Sequence, residues 1–522
     1  MHPVRLIIFS LAVAFAAQAH FTFVIPWPGG DVAEMILGET LSSQDTVNPA
    51  IAAGARLKIR DSAGTVTDLT MAQDGHRFVM QLPGQGNRLV YGTADLGVSQ
   101  RGNSPKPHLL LYYPKTILGD PFAAGATAGA DQVLELVPQG EPGRVRLQLL
   151  ARGVPQPETE FTVILPGGTS QKVKTGADGF AGPFSQSGRY GAWARYWEDK
   201  AGERAGVKYE QVRHYAMLVF DAYAQPAVGR PLPEKTSSFG AVADAGWLYV
   251  YGGHVARTHN YSTESVSGRF SRLRQDTGVW EELPAGTPLQ GLNLAAHGGR
   301  VCRVGGMTPR NKPGEKTDNH SVAEAACYQP AQRAWQPLPP LPEARSSHDV
   351  AVIGDRLIVS GGWMLRGAEP TLWAKTTLIL DLKNPAAEWV SVPQPFERRA
   401  LVTAVHGGRM YVIGGITPSG KVSTDVDIYD PAKSVWTKGP ALPGTEMNGF
   451  APAAAVHGGK LFASVADGSL YALDDAHSRW TDAGRSAARL AHRMVSLGDS
   501  LVIAGGAVKG GNLDLVERVP VP

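Results

Sequence analysis

The sequence predicts an all-β protein of several domains, and three observations carry that expectation. Apolar residues make up 43% of the 522 positions, enough for buried cores and too many for a disordered chain. Gly and Pro together supply roughly a fifth of the chain, well above average usage, so the apolar stretches are cut into short strands by turn formers. One strand-and-turn pattern also recurs through the second half. The 50 Lys and Arg against 47 Asp and Glu leave a formal charge of +3. With no dense basic block, that balance gives no electrostatic support to a nucleic-acid partner. No transmembrane segment is expected either, because no apolar run reaches the ~18 residues a spanning helix needs.

In chain order, residues 1–19 read as a secretory signal peptide. His2 and Arg5 precede the apolar stretch Leu6 to Ala17, and Ala17-Gln18-Ala19 fits a small-x-small cleavage site. The mature protein is therefore expected in the periplasm or secreted. Residues 20–121 and 130–225 show short alternating runs, among them Arg56 to Arg60, His76 to Leu82, Val145 to Leu150 and Tyr215 to Phe220. Strands at this spacing predict two immunoglobulin-like β-sandwich domains. The Gly/Ala/Asp-rich stretch Pro121 to Asp131 joins them.

The repeat fills residues 226–522. Hydrophobic strands ending in Gly-Gly occur at Gly252-Gly253, Gly305-Gly306, Gly361-Gly362, Gly414-Gly415 and Gly505-Gly506, spaced 53 to 56 residues apart before one gap of 91. A degenerate copy, Leu461-Phe-Ala-Ser-Val-Ala before Asp467-Gly468, fills that gap and makes six units. A tryptophan forms the second landmark, at Trp280, Trp335, Trp389, Trp436 and Trp480. These residues resemble the kelch repeat, which implies a six-bladed β-propeller of four-stranded blades stacked around an axis. The last unit has no Trp strand of its own. The segment Ala222 to Pro233 ends Arg-Pro-Leu-Pro, like the tails of the other Trp strands, so it is expected to supply the missing outer strand.

In the first half, His20-Phe-Thr-Phe, Leu150-Ala-Arg-Gly-Val-Pro, Lys174-Thr-Gly-Ala-Asp-Gly, Gly188-Arg-Tyr-Gly-Ala-Trp and His214-Tyr-Ala-Met-Leu are similar to a periplasmic family associated with nickel and cobalt uptake. That resemblance implies metal handling. Independently, cleavage after Ala19 would make His20 the first residue, with an α-amine and an imidazole able to chelate Cu or Ni. A second imidazole is expected from His214, then His108 or His76.

Arg345, Arg398 and Arg489 stand sixteen positions before their Gly-Gly pairs, and His348 and His492 follow three residues after the first and third. The kelch resemblance places this arginine at the channel mouth, where ligand-binding members, sialic-acid mutarotases and peptide-binding adaptors among them, hold carboxylates. The expected ligand is a small anionic or carbohydrate molecule or a protein partner; the alternative is a mutarotase-like carbohydrate isomerase acting in that channel. The competing reading is that these arginines satisfy loop carbonyls between blades. His254, His259, Asp318 and His320 read as solvated loop residues that neighbouring blades could gather over the channel. His297, His406 and His457 read as turn positions of the repeat. Cys302 and Cys327 fall on adjacent strands of one blade, and an oxidising compartment favours a disulfide between them. That pairing leaves no cysteine for a copper-radical oxidase of the galactose oxidase type. No nucleophile elbow, phosphate loop or H-E-x-x-H motif is found.

Overall fold

The computed structural model describes residues 20–27, 30–42, 47–100, 106–223, 227–384 and 386–521. The expected signal peptide lies outside them. Among the described residues all regular elements are strands, apart from three short 3-10 turns, and no helix is long and apolar enough to cross a membrane. The chain divides into two compact units, the first ending at Ala222 and the second starting at Tyr223.

The first unit is organised around one eight-stranded sheet. Its order is Ser170–Lys174, Glu160–Ile164, Gly188–Glu198, Gln211–Ala222, His108–Leu118, Arg88–Ser99, Arg56–Arg60 and Val66–Asp68. Four strands come from each side of the 121–131 connector. They meet where Gln211–Ala222 runs parallel to His108–Leu118, the one parallel pairing in that sheet. Strand alternation gives the sheet two apolar faces. One face packs Phe21, Phe23, Tyr112, Met217 and Val219 together. The opposite face packs Tyr113, Leu134, Leu147, Tyr190 and Leu218.

The second unit contains six four-stranded antiparallel sheets. The first runs Gly240–Asp244, Trp247–His254, Val266–Arg274 and Trp280–Leu283; the second begins at Leu294–His297, the third at Asp349–Ile353, the fourth at Val402–His406, the fifth at Ala453–His457 and the sixth at Arg493–Leu497. The first strand of each sheet packs on the first strand of the next, and the sixth returns to the first. The outer strand of the sixth sheet is Ala227–Val228, paired antiparallel with Val516–Val519. This is the segment whose Arg-Pro-Leu-Pro tail marks it in the sequence.

Both landmarks of the repeat act between sheets. The second glycine of each pair donates its N–H to a carbonyl of the following sheet: Gly253 to Leu289, Gly306 to Arg345, Gly362 to Arg398, Gly415 to Gly449 and Gly506 to Thr236, at 2.7–2.9 Å. The first glycine has positive φ and no room for a side chain. A Cβ on Gly414 would stand 2.5 Å from the Gly449 oxygen. Each tryptophan reaches back to the preceding sheet, its indole N–H donating to the carbonyl of Pro231, Pro284, Pro339, Pro393 or Pro440 at 2.8–3.1 Å. Cys302 and Cys327 are directly opposed in the second sheet and joined by a disulfide.

One further feature closes the centre. Just before its first strand, each sheet contributes one residue at φ between 46° and 63°: Ser238, Gly291, Ser347, Ala400, Ala451 and Ala491. Each N–H donates to the carbonyl of the preceding member, and Ser238 donates to Ala491, completing a ring of six backbone hydrogen bonds of 2.7–3.3 Å. The left-handed conformation turns each peptide toward its neighbour, and it costs least with side chains as small as these.

Candidate functional site

The ring is the floor of a cavity of about 840 Å³, within the range of small-molecule sites. Two repeat positions build its walls. The residue before each ring member is Ser237, Gln290, Ser346, Arg399, Phe450 or Leu490, and the residue after Gly-Gly is His254, Met307, Trp363 or Ala507. Backbone bridges pair these positions within a repeat, as Ser237 with His254 and Ser346 with Trp363. Two elements therefore supply most of the lining, and the variation between repeats sets its chemistry.

That chemistry is basic and aromatic. Arg399, Arg489 and Lys509 line the cavity, and no Asp or Glu does. The Arg399 guanidinium lies 3.9 Å over the Trp363 ring and, among the described residues, has no carboxylate partner. Burial lowers its pKa and raises that of the Tyr261 phenol beside it, yet a guanidinium remains charged at any neutral pH. Several buried polar atoms here make no hydrogen bond among the described residues: Arg399 Nε, Trp363 Nε1, Gln290 Oε1, Asn319 Oδ1 and His254 Nδ1. His254 donates from Nε2 to the Arg257 carbonyl at 3.0 Å, which leaves Nδ1 as an acceptor. Unsatisfied buried polar atoms cost stability unless something answers them. Here they are gathered around one basin.

The three arginines expected at the mouth are buried in the sheets. Arg345 and Arg489 are 0% and 2% exposed, as is Arg398 at 2%. Arg345 donates to the Thr376 carbonyl and hydroxyl at 2.7 and 3.1 Å and lies 3.3 Å from Glu343. Arg398 donates to the carbonyls of Gly414 and Asp425 at 2.7 and 2.9 Å and to the Asp427 carboxylate. Arg489 borders the cavity, but its donors serve the carbonyls of Ala487, Gly505 and Leu515 and the Glu517 carboxylate. Burial pushes its pKa down to about 10. These guanidinium groups hold loop carbonyls and strand carboxylates rather than a shared ligand. The arginine that faces the basin without a carboxylate partner is the half-buried Arg399, one step along from Arg398.

His348 and His492 lie across the ring from the basin. With all six ring residues they line a separate cavity of about 60 Å³. His348 contacts the Val304 carbonyl and His492 the Ser464 hydroxyl, each at 3.0 Å. Burial holds both pKa values down to about 3, so both are neutral and structural. His254 and His259 do line the basin, whereas Asp318 and His320 pair with each other at 2.7 Å.

The histidines of the first unit do not converge. Tyr112 and Tyr215 lie on the face that holds Phe21, and the Tyr112 hydroxyl donates to the His20 carbonyl at 3.3 Å. His214 is one residue out of phase with Tyr215 and so points through the opposite face. There Nδ1 meets the Tyr113 hydroxyl at 2.8 Å and Nε2 lies 3.4 Å from Glu198. His20 and His214 thus have the sheet between them. His108 shares the Phe21 face but begins its strand, four residues from Tyr112. His76 sits in the turn between Met71–Asp74 and Arg77–Gln81. No group of three or more His, Cys, Asp or Glu suited to a metal occurs among the described residues.

Comparison with known proteins fits the repeat. The family model described as Kelch motif matches residues 397–443. Kelch-like protein terF of Aspergillus terreus is 22% identical over 339 residues, covering 59% of this chain and 72% of that protein. Kelch repeat and BTB domain-containing protein 12 of Homo sapiens is 28% identical over 155 residues, 27% of this chain and 23% of that protein. Kelch-like protein 36 of Bos taurus is 28% identical over 212 residues, 38% of this chain. The matched stretches thus span only 23% and 33% of the last two relatives' own length. A solved structure, "Structure of YjhT", has 14% identity and a TM-score of 0.46, covering 56% of this chain and 97% of its own. With the glycine and tryptophan landmarks placed between sheets, the motif matched at 397–443 and the similarity to kelch-like proteins support a kelch-repeat protein.

Proposed function

We propose that this chain is a binding protein whose six sheets are the blades of a kelch propeller, and that the basin over the ring receives an anionic group. One observation carries the reading: Arg399 is stacked on Trp363 without an acidic partner, in a basin with no carboxylate in its lining. A carboxylate would complete the fork bidentately. The unanswered acceptors on Gln290 and Asn319 favour hydroxyl or amide donors on the same ligand. Trp363, Tyr261, Met307 and Phe450 offer it apolar surface. A sugar acid or the acidic side chain of a protein partner meets these requirements. Calorimetric titration with hexuronic acids and acidic peptides tests the proposal. Arg399→Ala is expected to weaken the binding by roughly 10- to 100-fold, the scale of hydrogen bonds to a charged group. A ligand whose affinity does not change in that variant refutes the site. Anomeric interconversion of a sugar acid by the wild type, lost in Arg399→Ala, would favour the mutarotase-like alternative.

Export and metal capture at His20 extend this reading and rest on the first 23 residues of the sequence. Cleavage after Ala19 would free a two-nitrogen chelate suited to Cu or Ni. N-terminal sequencing of the exported protein is expected to begin His-Phe-Thr-Phe, and elemental analysis is expected to find metal that His20→Ala removes. A chain that keeps its first residues counts against both, and one purified without metal counts against the chelate.

A further inference from the structure

His406 ends the first strand of the fourth sheet, and His477 lies in the turn between Ser469–Leu473 and Trp480–Arg485 of the fifth. The two imidazoles approach across that boundary. Their Nε2 atoms are 3.1 Å apart, and the ring planes are tilted by 48°. The hydroxyl of Tyr411, itself 1% exposed, stands 3.2 Å from Nδ1 of His477. His477 is exposed and adopts φ 54°, a conformation uncommon outside glycine and worth explaining where it aims a side chain.

This is the spacing of ligands on a single ion. Imidazole nitrogens bind zinc at about 2.0–2.1 Å, so two adjacent nitrogens on one ion stand roughly 2.9–3.4 Å apart. Tyr411 holds the outer nitrogen of His477, the arrangement that fixes the orientation and tautomer of metal-binding histidines.

We propose that His406 and His477 form a site for a divalent transition-metal ion of the zinc, nickel or copper class, with water completing the coordination. Without metal, one ring donates its Nε2 proton to the Nε2 of the other. When the ion binds, that proton moves to Nδ1 of the same ring, which frees both Nε2 lone pairs for an ion seated to one side of the line joining them; a proton at Nδ1 of His477 donates to the Tyr411 oxygen. The ion would tie the fourth sheet to the fifth, and neither histidine lines the basin.

Separate titrations of the full chain with Zn(II) and Ni(II), followed by calorimetry and thermal unfolding, test the site. Binding is expected together with a higher Tm, because the ion recognises only the folded juxtaposition. With His20 replaced by alanine throughout, His406→Ala and His477→Ala should each abolish both effects, while Tyr411→Phe weakens binding by about tenfold. His20→Ala should leave this site intact, which separates it from any chelate at the chain start. Unfolding in EDTA, where the variants should match the wild type to within a few degrees, shows that a lost signal reflects a lost ligand. Wild-type protein that binds neither ion, or a Tm rise that persists in both histidine variants, overturns the proposal.

Discussion

Arg398→Ala is expected to destabilise the second unit by about 3 kcal/mol, while Arg399→Ala, one residue away, should cost less, on the order of 0.5–2 kcal/mol. Arg398 is 2% exposed and its partner Asp427 is 1% exposed. Removing the guanidinium strands a buried carboxylate and two carbonyls, those of Gly414 and Asp425, that lie between strands. Breaking such a pair from one side typically costs about 3–5 kcal/mol, because the remaining charge stays buried. The lower end applies here because Lys438 Nζ lies 3.0 Å from the other Asp427 oxygen and can still approach it. Arg399 makes no hydrogen bond from its buried Nε. Its loss removes only the stacking on Trp363, on the order of 0.5–2 kcal/mol. Urea unfolding of the two variants should therefore separate them by an amount opposite to their effect on ligand binding. Equal midpoints would mean that the two side chains do not face in opposite directions.

That pair also marks where the sequence stops being legible. Counting sixteen positions back from each Gly-Gly finds the right place in the repeat, since Arg345, Arg398 and Arg489 do occupy equivalent sites. Counting cannot tell which side of an extended segment faces the axis. In such a segment a slip of one residue exchanges inside for outside. The readable signal lay elsewhere. The residue after each Gly-Gly lines the basin in four repeats, as His254, Met307, Trp363 and Ala507, and its type varies as a recognition position should. The six left-handed residues of the ring were invisible, because only one of them, Gly291, is a residue that announces positive φ.

The first half shows the same limit at longer range. Alternating runs correctly locate strands, but pairing depends on tertiary contacts that alternation does not encode. The parallel union of Gln211–Ala222 with His108–Leu118 merges strands from both sides of the connector into one sheet. Once Tyr215 is known to face Phe21, parity alone sends His214 through the other side. A histidine pair across a sheet cannot share an ion, whatever its separation in sequence. By contrast, the glycines, tryptophans and closing strand were legible because each must satisfy a local geometric demand. They crowd a carbonyl, fill a gap or cover an edge.

Closure yields the second large effect. A second unit begun at Glu234, lacking the outer strand, is expected to aggregate or unfold at low denaturant, whereas one begun at Tyr223 should unfold cooperatively. Without the segment, Val516–Val519 becomes an open edge of unpaired N–H and C=O groups, a template for intermolecular pairing. Leu232, 5% exposed, leaves the cluster it shares with Phe239, Leu248 and Val516, and removing such a side chain costs about 2–5 kcal/mol. The Trp280 indole loses the Pro231 carbonyl at 2.8 Å, one of the contacts that join the first sheet to the sixth. The backbone ring depends on the same junction, because Ser238 receives no fixed neighbour unless Ala491 is held beside it. These losses fall on one boundary and are coupled, so their sum exceeds what a marginally stable unit can absorb. Size-exclusion chromatography and urea unfolding of the two chains decide the matter: a stable monomer from the shorter chain would show that the ring holds without its closing strand.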